Sequence, residues 1–152
     1  MMPSRFASLK RYRPKSEKLA DDLEKVKSKP KAPRGASIQT LDRAFSKKVR
    51  ERDCPGGIGV CVTCKRLKPY AEMDCGHYLG RQYFATRWNE MNCAAQCRYC
   101  NRFNEGLKDK FRAALIEKHG EEAILKMEAL HKTGKKPRPH EAVEILKQIR
   151  GK

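Results

Sequence analysis

The sequence predicts an α+β fold: a small cysteine-rich core with flanking α-helices and a basic N-terminal arm. Three observations carry this. Two matched C-x-x-C pairs, Cys61-Val-Thr-Cys64 and Cys97-Arg-Tyr-Cys100, offer four thiolates from two tight turns, the spacing of a four-coordinate structural zinc site. Apolar residues recur at helical spacing on both sides of that module. Basic residues outnumber acidic ones, 35 Lys+Arg against 18 Asp+Glu, for a formal net charge of +17. Such an imbalance attracts polyanions, nucleic acid first among them, because each neutralised phosphate releases condensed counterion. The stretch Met1 to Arg13 does not resemble a signal peptide, and no run approaches a transmembrane span. An odd cysteine count with paired spacing fits zinc better than a disulfide framework. The expectation is a reducing, cytoplasmic compartment and no membrane.

Residues 1–36 read as a basic arm, rich in Lys, Arg, Pro and Ser, with a short amphipathic candidate over Ser16 to Lys27. Ser37 to Asp53 reads as a helix. Ser37 is its N-cap, Leu41, Ala44, Phe45 and Val49 line one face, and Arg43, Lys47, Lys48 and Arg50 line the other. Cys54-Pro55-Gly56-Gly57 stops it. Residues 58–104 form the cysteine-rich module, short of apolar runs, as expected where a metal replaces part of a core. From Gly106 a helix carries Leu107, Phe111 and Leu115 and ends at Gly120; Glu121 to His131 carries Ile124, Met127 and Leu130. Residues 37–132 are therefore expected as one zinc-stapled domain. Residues 133–152 are expected as a Gly/Pro/Lys linker and a last helix with Val143, Leu146 and Ile149.

Four thiolates leave no open position, so the metal on Cys61, Cys64, Cys97 and Cys100 would hold the fold and catalyse nothing. Cys54, Cys75 and Cys93 are expected to be small buried hydrophobes, with Cys54, on its turn, the most reactive of them. Between the knuckles lies Asp74-Cys75-Gly76-His77; Asn92 precedes Cys97 and Asn101 follows Cys100. A histidine, a carboxylate and two amides on a zinc-stapled platform are the equipment of a metal-dependent nuclease. Imidazole titrates near the working pH, and carboxylate oxygen suits Mg²⁺ or Mn²⁺.

Asp74-Cys75-Gly76-His77-Tyr78, Arg87-Trp88-Asn89-Glu90-Met91-Asn92 and Gln96-Cys97-Arg98-Tyr99-Cys100-Asn101 resemble the NinG/Rap family of lambdoid phage recombination proteins. The resemblance runs from the helix around Leu41 to about His131. The family's core is similar in turn to HNH endonucleases, so the resemblance implies a ββα-metal (HNH-like) core. It implies a structure-specific endonuclease on branched recombination intermediates, Holliday junctions and D-loops, in the cytoplasm of the bacterial host. Its implied roles are His77 as general base, Asp74 and Asn101 as ligands of a catalytic Mg²⁺ or Mn²⁺, and Asn92 as a brace for the loop that holds His77. Two positions depart from the HNH pattern. Gly76 stands where a ligand directly precedes the base, and Asn101 replaces the last histidine.

Arg81, Arg87, Arg98, Arg102 and Lys108 are the expected DNA-binding residues, with Arg81 or Arg87 on the scissile phosphate. Tyr78, Tyr83, Phe84 and Trp88 could wedge into an opened junction, with Trp88 more simply a core residue. A junction cut on two strands favours a homodimer, and phage recombinase components are possible partners. The competing expectation is a zinc-ribbon-like adaptor that binds nucleic acid without catalysis.

Overall fold

The computed structural model describes residues 36–104 and 107–151. Apart from Ala36, the expected N-terminal arm and its short helical candidate lie outside the described residues. Helix α1 spans Ile38–Asp53. The Ser37 hydroxyl accepts the Thr40 N–H at 3.1 Å, satisfying one of the donors that a helix start leaves open. Leu41, Phe45 and Val49, one per turn, are buried. A 3₁₀ turn at Pro55–Gly57 follows, and the chain enters two antiparallel hairpins.

In the first hairpin, β1 (Ile58–Val60) pairs with β2 (Leu67–Pro69), Val60 opposite Leu67. The turn between them is the first cysteine knuckle. In the second, β3 (Met73–His77) pairs with β4 (Cys93–Cys97), His77 opposite Cys93 and Met73 opposite Cys97. Helix α2 (Arg98–Arg102) leaves β4 directly and carries the second knuckle. Helices α3 (Lys108–His119), α4 (Glu121–Leu130) and α5 (Pro139–Arg150) complete the described chain. Gly120, at φ +83°, makes the break between α3 and α4 in a conformation that side chains rarely adopt. These elements fall within one unit, Gly35–Lys152. The class is thus α+β, with helices around two small hairpins.

Side chains alternate across a strand, and the β3–β4 hairpin uses both faces. Cys75 and Cys93 meet Leu41, Phe45 and Val49 of α1 together with Ala142 and Ile149 of α5. The helix that the sequence sets beyond a linker therefore shares a core with α1. On the other face Ala94 packs with Phe111 and Leu115 of α3 and Ile124 and Met127 of α4. Fully burying Phe45 or Phe111 contributes about 1.5–3 kcal/mol each. A third cluster surrounds the knuckles: Cys54, Cys61, Met73, Ala95, Cys97 and Cys100. Cys54, expected to be the reactive thiol, is only 3% exposed, and burial with the neighbouring Asp53 charge pushes its pKa up. It is a core residue, as are Cys75 and Cys93.

Candidate functional site

The four knuckle cysteines converge. Their sulfurs lie within 4.8 Å of one another, with Cys64 Sγ 3.9 Å from Cys97 Sγ. Local structure explains why. Lys65 adopts φ +59°, closing the first knuckle so that its N–H reaches the Cys61 carbonyl. The Cys97 N–H points at Cys61 Sγ at 3.3 Å, and the Thr63 hydroxyl lies 3.4 Å from the same sulfur. Burial alone would raise the Cys61 thiol. Hydrogen bonds from the Thr63 hydroxyl and from the backbone of Cys64, Cys97 and Thr63 outweigh it and bring the pKa down to about 6. Cys97 is instead pushed up to about 12, mainly by burial, with the neighbouring Cys61 thiolate also opposing a second negative charge. A divalent cation reverses that repulsion and deprotonates all four. The donor set and burial fit a closed thiolate shell for a structural metal such as zinc.

The other predicted residues do not form one constellation. Asp74 and His77 are three apart on β3, so they project from opposite faces. Asp74 turns toward α2. Asn101 Nδ2 donates to its Oδ2 at 3.1 Å, and Arg102 donates to both oxygens at 2.9 and 3.3 Å. Arg98 lies 3.9 Å away. Burial would raise this carboxyl, but the bonds from Arg102 and Asn101, with the two arginine charges, hold it below the ordinary carboxylate value. A cation seated there would displace Arg102 and would sit across the sheet from His77. Asp74 and Asn101, expected to share an ion, do meet, while strand alternation turns His77 to the other face of the hairpin. Gly76, where the HNH pattern has a ligand, lies against Gln96 and Phe111; a Cβ there would stand 2.6 Å from Gln96 Oε1 and 2.9 Å from Phe111 Cε2.

His77 faces α1, its ring 6.4 Å from that of Phe45. It lines a cleft of about 310 Å³ together with Asp42, Arg43, Phe45, Ser46 and Arg50 of α1 and with Arg81. Nδ1 lies 3.2 Å from the Cys75 carbonyl and Nε2 lies 3.1 Å from the Arg87 carbonyl. A neutral imidazole has one N–H, so only one of these contacts is a hydrogen bond. Burial and the Arg81 charge lower the pKa, the two carbonyls and Asp42 oppose them, and the result is about 4. The ring is neutral at pH 7. Cys75 and Cys93 lie beside it, with the Cys93 thiol held neutral by burial and by its bond with Cys75.

Asn92 is fully buried and joins the two ends of the loop after His77. Its Oδ1 accepts the Leu79 N–H at 2.8 Å, and its Nδ2 donates to the Leu79 and Thr86 carbonyls, both at 3.0 Å. Arg87 is tied to Asp42 by two bonds, 2.9 and 2.6 Å, and Trp88 donates to the same carboxylate at 3.0 Å. Lys108 donates to the His77 and Tyr78 carbonyls at 2.7 and 2.6 Å. Arg87 and Lys108 thus brace the backbone around His77; Arg81, Arg98, Arg102 and Lys108 itself are exposed. Arg43 and Arg50, which sequence reading left on an outward helix face, join Arg81 in the cleft with His77. Only the packing of α1 on β3 and β4 brings them there; charge on one helix face was the available signal. Among the described residues no helix is long and apolar enough to cross a membrane.

The family model described as bacteriophage lambda NinG protein matches residues 4–152. Protein ninG of Escherichia phage lambda is 33% identical over 115 residues, 72% of this chain and 52% of that protein. Protein ninG of Salmonella phage P22 is 33% identical over 116 residues, 73% of this chain and 53% of its own length. The chain spans about half the length of the relatives it matches. No solved structure matches it. A family model that runs along nearly the whole chain, and relatives at one third identity that share it, establish that this chain belongs to the bacteriophage lambda NinG family.

Proposed function

We propose that this chain is a structure-specific endonuclease that hydrolyses phosphodiester bonds in branched DNA such as Holliday junctions and D-loops, in the cytoplasm of the bacterial host. The observation that carries the reading is His77 in a cleft walled by Arg43, Arg50 and Arg81. A neutral imidazole can take the proton of an attacking water, and guanidinium groups hold a phosphate and offset the charge that grows on it. Protonated, the ring could donate to both carbonyls that flank it. To meet the water, one ring nitrogen must first turn from its carbonyl toward the cleft.

The Mg²⁺ or Mn²⁺ of this reading would offset charge on the phosphate. Asp42, already paired with Arg87, is the one carboxylate among the cleft residues. Hard cations commonly use few protein ligands and several phosphate oxygens. The zinc-stapled order β3, β4, α2 supports a ββα-metal core. Two symmetric cuts favour a homodimer, and recombinase components of the phage are candidate partners.

The test is cleavage of a four-way junction by purified protein with Mg²⁺ and with Mn²⁺. His77→Ala should stop cutting and leave binding intact. No cutting by the native chain in either ion, with tight binding, would instead support the zinc-ribbon-like adaptor. Both ring nitrogens of His77 already face carbonyls, which is the observation that favours this second reading.

A further inference from the structure

The aromatic residues that the sequence placed at an opened junction are already engaged. Tyr78 donates to Glu128 at 2.6 Å and stacks on Phe111. Tyr83 meets His131 edge-on at 4.6 Å between centroids, and Phe84 leans on Trp88. Tyr99 and Phe103 differ. They are 61% and 75% exposed; Tyr99 lies in α2 and Phe103, four residues on, is its C-cap in helical conformation, so the two rings fall on one side. Their ring centroids lie 6.2 Å apart with planes tilted by 36°. Large exposed aromatics side by side are uncommon on a soluble protein and mark a contact surface.

The mount is rigid. Cys97 and Cys100 anchor the first turn of α2 in the thiolate cluster, and Arg102 ties its end to Asp74. Arg98 and Arg102 alternate with the two rings and remain more than half exposed, at 56% and 59% of their side chains. The patch is thus apolar π-surface interleaved with guanidinium groups, in a chain of net charge +17. A second copy of the same patch would bring its guanidinium groups against these. A nucleic-acid strand complements both components: bases stack on rings, and phosphates meet arginines.

We propose that Tyr99 and Phe103 form a stacking platform for unpaired bases of branched or single-stranded DNA, with Arg98 and Arg102 on the adjoining phosphates. A base inside a duplex has both faces covered by its neighbours, so the platform engages DNA only where bases are unstacked. It therefore selects branch structure and not base sequence. The inference rests on the DNA-binding part of the reading above and not on hydrolysis.

The experiment uses the full chain with its metal and measures binding by anisotropy at one fixed salt concentration. The probes are a matched duplex, a single strand, and a four-way junction with 2-aminopurine at the branch point. The double variant Tyr99→Ala/Phe103→Ala should weaken single-strand and junction binding about tenfold or more, while duplex binding changes less than twofold. The native chain should quench 2-aminopurine and the double variant should not; Tyr99→Trp/Phe103→Trp should restore the quench. Unchanged metal content shows that the variants are folded. Equal loss on all three probes, or no loss on any, overturns the platform. So does a change of oligomeric mass with unaltered DNA binding, which would make the patch a contact between copies. A native chain that cuts junctions but is indifferent to both substitutions removes the platform alone. A native chain that binds none of the probes removes the DNA reading with it.

Discussion

Asp74 and His77, three residues apart on one strand, face opposite sides of the β3–β4 hairpin: Asp74 holds Arg102 of α2, and His77 lines a cleft beneath α1. Two substitutions should therefore separate. His77→Ala should lower junction cleavage by about 10²–10⁴-fold, the usual contribution of a positioned base, with little change in affinity. Asp74→Ala should cost about 1 kcal/mol of stability through the partly exposed pair with Arg102 and leave cleavage within a few-fold. Single-turnover assays with denaturant titrations of both variants check this. Equal loss of cleavage in the two would mean that Asp74 reaches the reaction.

Metal removal should act on the fold. Metal analysis is expected to return one zinc per chain, and Cys61→Ser or Cys100→Ser should abolish it. Structural zinc contributes about 10–16 kcal/mol in small zinc modules, as much as the whole stability of a typical domain. Chelation should thus collapse the near-ultraviolet circular dichroism together with the activity. A chelated chain that keeps its tertiary signal would refute a metal-held core.

His77 should resist protonation. Its folded pKa is about 4 against an ordinary 6.5, so the unfolded chain binds more protons between those values. Stability from this group is complete above pH 6.5 and is lost as pH falls toward 4, by roughly 3 kcal/mol for a shift of about 2.5 units. The difference in urea midpoint between the native chain and His77→Gln should shrink over that window. Imidazole NMR shifts that titrate near 6.5 would contradict the burial described.

Asn92 should behave as a clasp. Alanine there leaves the part-buried Leu79 N–H and carbonyl without their side-chain partner and the Thr86 carbonyl with only the Asn89 N–H, at a cost of about 2–4 kcal/mol. Hydrogen exchange should show faster opening of residues 79–92 while α3 and α4 keep their protection.

Gly76 gives a steric test. Alanine would press on Gln96 and on the buried Phe111 ring, and should destabilise the chain by about 1–3 kcal/mol. Gly76→Ala/Phe111→Leu should recover part of that loss in thermal melts.

The sequence by itself determined the elements whose causes are local. A C-x-x-C turn is set by a few torsions, so two of them announce a thiolate cluster before their meeting is seen. The helix of Leu41, Phe45 and Val49 follows from periodicity and a serine cap. What only the tertiary structure decided is who meets whom. Pairing of β3 with β4 fixed the pleat and sent Asp74 and His77 apart, although their spacing in the chain looked like a single site. Packing of α1 on that hairpin carried Arg43 and Arg50 to His77, across a separation of about thirty residues that no local pattern encodes. It also locked Arg87 onto Asp42, turning an expected phosphate ligand into a brace. The physical reason is range: torsional and capping preferences act over a few residues, whereas the address of a side chain depends on strand register and on which apolar faces bury each other.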